Sequence, residues 1–102
     1  MASVIVSMTL NNNKLQVSPD PVIAGPGDQV LWKSPDGDVL VEFPADANPF
    51  DRAGRFRSAG KGQVTNPGHV RADVQRPRRF FCTVTLAGHE FKNAIGIDTP
   101  GD

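Results

Sequence analysis

Apolar and polar side chains alternate along short stretches of this chain. Val4, Val6 and Met8 alternate with Ile5, Ser7 and Thr9, so Ala2 to Leu10 reads as a strand. The same pattern, rich in Val, Ile, Thr and Phe, predicts strands at Leu15 to Ser18, Gln29 to Lys33, Val39 to Phe43, Val70 to Val74, Phe80 to Leu86 and His89 to Asp98. Turn-forming clusters separate them: Asn11-Asn12-Asn13, Pro19-Asp20-Pro21, Gly25-Pro26-Gly27-Asp28, Ser34-Pro35-Asp36-Gly37 and Ala87-Gly88. About seven short strands cut at these intervals predict an all-β fold, a Greek-key β-sandwich. From Pro44 to Gly68 the alternation lapses, and Pro, Gly, Asn and Arg take its place. A loop of that length in a small domain is either functional or mobile. One helical turn is expected within it, near Asn48 to Ala53.

With Ala87-Gly88 as a two-residue hairpin loop, Leu86 faces His89, Val84 faces Phe91, Cys82 faces Asn93 and Phe80 faces Ile95. This register gathers Phe80, Cys82, Val84, Leu86, Phe91, Ile95 and Ile97 on an inner face and leaves Thr83, Thr85, Glu90 and Lys92 outside. Cys82 is then a core thiol that packs as a small hydrophobe. Trp32 is expected to anchor the same core.

At 102 residues, with 38% apolar and 22% charged, the chain has room for one hydrophobic core and enough apolar content to fold alone. A single domain over residues 1–102 is expected. The net charge of zero is unevenly spread. Residues 1–51 carry two Lys against seven acids, residues 52–79 carry eight Lys or Arg against Asp73 alone, and residues 80–102 carry Lys92 against three acids. The basic middle contains Arg52, Arg55, Arg57, Arg71, Arg76, Arg78 and Arg79, which supply bidentate donors to phosphate or to an acidic protein. The plainer reading is a set of solvated loop and edge positions, some paired with acids of the N-terminal half. No aromatic-studded strand or basic helix accompanies the run, so no nucleic-acid partner is expected.

One cysteine forms no internal disulfide, which leaves the redox compartment open. The N-terminus has no charged start followed by a long apolar run, so no signal peptide is expected, although an exported mature domain would read the same. No stretch approaches the roughly 20 apolar residues of a membrane span, and a soluble protein is expected.

Two segments carry a family resemblance. Val22-Ile23 followed by Gly27-Asp28-Gln29-Val30-Leu31-Trp32-Lys33 resembles the cupredoxin pattern of a Gly-Asp turn leading into a Val-x-Trp strand. Phe80-Phe81-Cys82-Thr83 followed by Gly88-His89 resembles the segment that supplies the copper thiolate and an imidazole in azurin-like and plastocyanin-like cupredoxins. Together they cover the second and last quarters of the chain. The resemblance implies the sandwich and, where copper binds, a type 1 centre of two His nitrogens, one Cys sulfur and a weak axial ligand. It offers Cys82 as the thiolate and His89 as one imidazole. Asp36 to Phe43, where the other imidazole is expected, contains no His, and Asn93 stands about where the axial Met is expected.

His69 is the imidazole left to complete a site, and Asn93 a weak oxygen donor, so the candidate metal set is Cys82, His89, His69 and Asn93. The plain alternatives are an exposed loop histidine and a core amide bonded to backbone. Strand spacing works against the set. Thr83-Val84-Thr85-Leu86 continues the strand, and four residues at about 3.3 Å each separate Cys82 from the turn that carries His89.

Asp36 and Asp38 flank a turn without the calcium-loop pattern, and Gly60-Lys61-Gly62 fits neither a phosphate loop nor a nucleophile elbow. A strand core does not activate a thiol for attack. Neither catalysis nor a cofactor is expected. The leading expectation is a non-catalytic binding domain that meets a protein partner through the Pro44 to Gly68 segment, with Phe50, and through the edge bearing Arg76, Arg78 and Arg79. The plainer reading of Phe50 is a ring tucked onto the sandwich edge. The competing expectation is a copper protein for electron transfer or copper delivery. An immunoglobulin-like module would share the sandwich and differ in strand order.

Overall fold

The computed structural model describes residues 2–101. Eight strands follow one another: β1 (Ser3–Asn11), β2 (Lys14–Ser18), β3 (Gln29–Lys33), β4 (Val39–Glu42), β5 (Arg55–Arg57), β6 (Gly68–His69), β7 (Arg78–Leu86) and β8 (His89–Thr99). They build two four-stranded sheets, ordered β2-β1-β3-β6 and β5-β4-β7-β8, packed as a β-sandwich. The all-β expectation holds, with eight strands among the described residues and not seven. No helix among them is long and apolar enough to cross a membrane.

Asn12 and Asn13 make the β1–β2 turn at φ of 53° and 62°, a left-handed conformation that Asn tolerates better than most residues. β1 also pairs in parallel with β3, from Ser3 opposite Gln29 to Ser7 opposite Lys33. The first strand therefore lies between the second and third. In an immunoglobulin sheet the first strand pairs with the second alone and the third belongs to the other sheet.

Inward positions of the two sheets meet as the alternation predicts. Val6, Met8 and Trp32 face Val41, Phe56, Val84 and Leu86, all at most 1% exposed. Burying a side chain of this size contributes about 1.5–3 kcal/mol. Trp32 has ring centroids 4.9 Å from Phe56, 5.6 Å from Phe50 and 6.1 Å from Phe43.

Two of those rings come from the irregular segment, which is therefore a wall of the sandwich and not an open loop. Its short helix is a 3-10 turn at Ala45–Ala47, earlier than the turn expected near Asn48 to Ala53. Asn48 instead accepts a hydrogen bond from the Phe50 N–H at 3.1 Å and donates to the Arg52 carbonyl at 2.6 Å, a local turn that competes with helix. The strand expected at Val70 to Val74 is displaced to β6. A Cβ on Gly68 would stand 2.8 Å from the rings of Phe50 and Phe56, so bare backbone passes beneath them and pairs with β3. Val70 keeps a single bridge to Phe50, and the Val74 N–H turns back to the Arg71 carbonyl.

The β7–β8 hairpin starts in the expected register, with Leu86 opposite His89 and Val84 opposite Phe91. It then departs. Cys82 pairs with Ala94 and not Asn93, and Phe80 pairs with Ile97 and not Ile95. β8 carries two extra residues, at Asn93, whose φ is 58°, and at Gly96. The first bulge turns Asn93 out to solvent, and the pair at the surface becomes Phe81 with Ile95, 46% and 38% exposed.

Candidate functional site

The structure does not gather the four candidate copper ligands: only Asn93 neighbours Cys82, beside its cross-strand partner Ala94. Cys82 points into the core from β7, 3% exposed, and burial pushes its thiol up to about 12. His89 is exposed at the hairpin end, opposite Leu86 and four strand residues, about 13 Å, from Cys82. His69 belongs to the other sheet, opposite Gln29, where its carbonyl accepts the Asp51 N–H at 3.0 Å. Asn93 is exposed at the β8 bulge, which corrects its expected inward placement. With no imidazole beside it, the core thiol does not meet the two-His, one-Cys geometry of a type 1 centre. Among the described residues no three His, Cys, Asp or Glu side chains group closely enough to hold a metal ion.

The arginines divide into two sets. Arg55 and Arg57 project from the outer face of β5, opposite Glu42 and Leu40. Arg52 braces the segment behind them: its guanidinium lies 5.5 Å over the Phe56 ring, and with the Asn66 amide oriented to suit its neighbours, Nη1 and Nη2 both donate to the Asn66 oxygen at 2.8 Å. The second set opens β7. Arg78 stacks 4.6 Å over Phe80 and donates to Gln75 at 2.9 Å, and Arg79 makes two hydrogen bonds to Asp98, at 2.9 and 3.1 Å. That carboxylate raises the Arg79 guanidinium above its ordinary value. Arg71 meets Asp73 at 3.6 Å. The hydrogen-bonded and ion-paired acids, Asp98 and Asp73, sit in the C-terminal tail and the basic middle, and Asp20 of the N-terminal half adds a weaker attraction at Arg79. Arg76 precedes Pro77 at the entry to β7.

Phe50 is 2% exposed within the aromatic cluster, so it belongs to the core and not to a contact surface. The surface it was expected to mark lies elsewhere, on the outer face of the β5-β4-β7-β8 sheet. Across that face Arg57, Leu40, Thr85 and Glu90 form one row, and Arg55, Glu42 and Thr83 form the next. Phe81 and Ile95 follow, then Arg79 and Asp98. A depression of about 530 Å3 opens beside Phe81, bounded by Glu42, Pro44, Thr83 and Lys92. Exposed aromatic and aliphatic groups flanked by arginines have the composition of a protein contact, which is enriched in aromatics and Arg. Asn93 and Gly96, two residues suited to a bulge, were the only signs in the sequence that Ile95 turns outward.

No protein-family model matches the chain, and no curated protein matches it.

Proposed function

We propose that this chain is a non-catalytic, cupredoxin-like binding domain that takes a protein partner on the outer face of its β5-β4-β7-β8 sheet. The exposed Phe81–Ile95 pair carries the reading, because an aromatic and an aliphatic side chain stand together on an open sheet face with Arg55 and Arg57 to one side. An acidic surface with an apolar centre is the complementary partner. The cupredoxin-like part is supported by the Gly27-Asp28 turn at the head of β3, by Trp32 in the core and by a strand order unlike the immunoglobulin one.

The test combines copper and contact. Titration of reduced protein with Cu(II) is expected to give no thiolate-to-copper absorption, with Cys82 unreactive to alkylation until the fold is denatured. An intense band at one equivalent, lost in Cys82→Ser, would overturn the reading in favour of a redox protein. In affinity capture, a partner retained by the native chain is expected to be lost with Phe81→Asp and weakened with Arg55→Glu. Retention by both variants would exclude this face.

A further inference from the structure

β8 leaves one long side of its sheet open. β7 borders it on one side, and among the described residues only the Val22 to Ala24 segment meets the other, where Ala24 N–H donates to the Asp98 carbonyl at 3.1 Å and Asp98 N–H donates to the Val22 carbonyl at 2.7 Å. From His89 to Ile97 no strand of the described residues lies beyond.

Hairpin geometry decides what this edge offers. Leu86 and His89 flank a two-residue loop and form a hydrogen-bonded pair, so Val84 and Phe91 form the next. Phe91 directs its N–H and C=O to β7, and Glu90 and Lys92 direct theirs outward. Side chains alternate in the same way. Phe91 is half-buried over a cleft of about 750 Å3 between the sheets, lined also by Leu15 and Val17 of β2. Glu90 and Lys92 are 56% and 76% exposed on the outer face, with their charged groups 3.8 Å apart.

We propose that β8 pairs antiparallel with β8 of a second copy about a twofold axis through Phe91. In this register Glu90 faces Lys92 of the partner subunit, and Lys92 faces Glu90 of the partner subunit. The outward N–H and C=O groups of these residues meet as reciprocal hydrogen-bonded pairs, and the two Phe91 rings close over the clefts. Charge selects the register. A slip that centres the axis on Glu90 sets Glu90 against itself, and one that centres it on Lys92 sets Lys92 against itself; like charges directly opposite are destabilising. The left-handed Asn93 ends the ladder, which keeps the contact short. The result is one continuous eight-stranded sheet, which depends neither on copper nor on Phe81, although Glu90 and Lys92 also border the outer face that carries Phe81.

Sedimentation of the full chain up to millimolar concentration is expected to show reversible monomer and dimer. Glu90→Lys and Lys92→Glu each put like charges opposite one another and are expected to weaken self-association by on the order of tenfold. Mixing the two variants restores dimers between them, and the double variant restores its own. Phe81→Asp leaves the dimer unchanged, which separates this contact from the proposed partner surface. Both exchanged side chains are solvent-facing, so unchanged thermal midpoints will certify the folds. A chain monomeric at millimolar concentration, or a dimer indifferent to both reversals, overturns the proposal.

Discussion

Ser58 and Val39 exchange two hydrogen bonds: the Val39 N–H donates to the Ser58 hydroxyl at 2.8 Å, and the Ser58 N–H donates to the Val39 carbonyl at 2.9 Å. Ser58 is 6% and Val39 1% exposed, so both bonds are sheltered from water. They fasten the chain leaving β5 to the first residue of β4, one step beyond the ladder that ends at Leu40 and Arg57. Ser58→Ala removes the acceptor and leaves a buried N–H in need of one, at about 1–3 kcal/mol. The urea midpoint is expected to fall accordingly at unchanged slope. A midpoint equal to that of the native chain would mean that the amide finds another partner.

Cys82 makes stability depend on alkaline pH. Burial raises its thiol from 9.0 to about 12. The unfolded thiol therefore ionises first, and its ionisation draws the equilibrium toward the unfolded chain. This contribution is intact below about pH 9 and is lost as the pH rises toward 12, to a limit on the order of 4 kcal/mol. The chain contains no Tyr, so no phenol titrates across the same window. Denaturation curves of the native chain and of Cys82→Ala are expected to converge over that range, the variant losing less. Parallel curves would place the thiol in water.

Asp28 acts at the opposite end of the pH scale. Its two carboxylate oxygens accept the N–H groups of Ala2 and Gly25, each at 2.9 Å, which ties the start of β1 to the turn before β3. These bonds favour the charged form and hold the carboxyl below its ordinary 3.8. The stabilisation is present above that value and is lost as the pH falls through the lower folded value. Asp28→Asn is expected to be slightly less stable than the native chain at neutral pH, the exposure of the carboxylate keeping the difference small. The gap should close in acid, and faster hydrogen exchange at Ala2 and Gly25 would locate the loss. A gap independent of pH would assign it to side-chain shape and not to charge.

Where alternation was strict, structure followed from sequence. β1, β3, β4 and the hairpin end of β7–β8 lie within a residue or two of their expected bounds, because a period of two facing a core leaves little freedom of register. Elsewhere long-range packing decided. Nothing local announces that Phe50 and Phe56 are core residues, since their neighbours are Asn, Pro, Arg and Gly; the Trp32 ring, some twenty residues away in sequence, draws them in. The resemblance groups Cys82 with His89, whereas strand spacing argues against the pair, and the continuous β7 keeps the two apart as that spacing requires. The outward turn of Ile95 beside Phe81 was hidden because the bulge at Asn93 reverses the parity of β8 until the second bulge, at Gly96, restores it and returns Ile97 to the core. Asn93 and Gly96 show that such a bulge is written in the identity of two residues and not in the period.

Gly96 tests that account. As the second extra residue on β8 it is buried, and a Cβ there would collide with the Phe43 ring and stand 3.1 Å from the Phe80 carbonyl oxygen. Phe43 has little room to yield, because it is 7% exposed and packs 5.3 Å from Phe50 and 6.1 Å from Trp32. Gly96→Ala therefore overpacks the core and is expected to cost about 1–3 kcal/mol. Gly60→Ala, where nothing lies within 4 Å, is expected to change stability by less than about 0.5 kcal/mol. In a Phe43→Leu background the ring is gone, and the cost of Gly96→Ala should shrink, giving a coupling free energy between two residues in contact. If the two substitutions add without coupling, the ring is not the obstacle, and the reason for glycine at this bulge lies in its backbone.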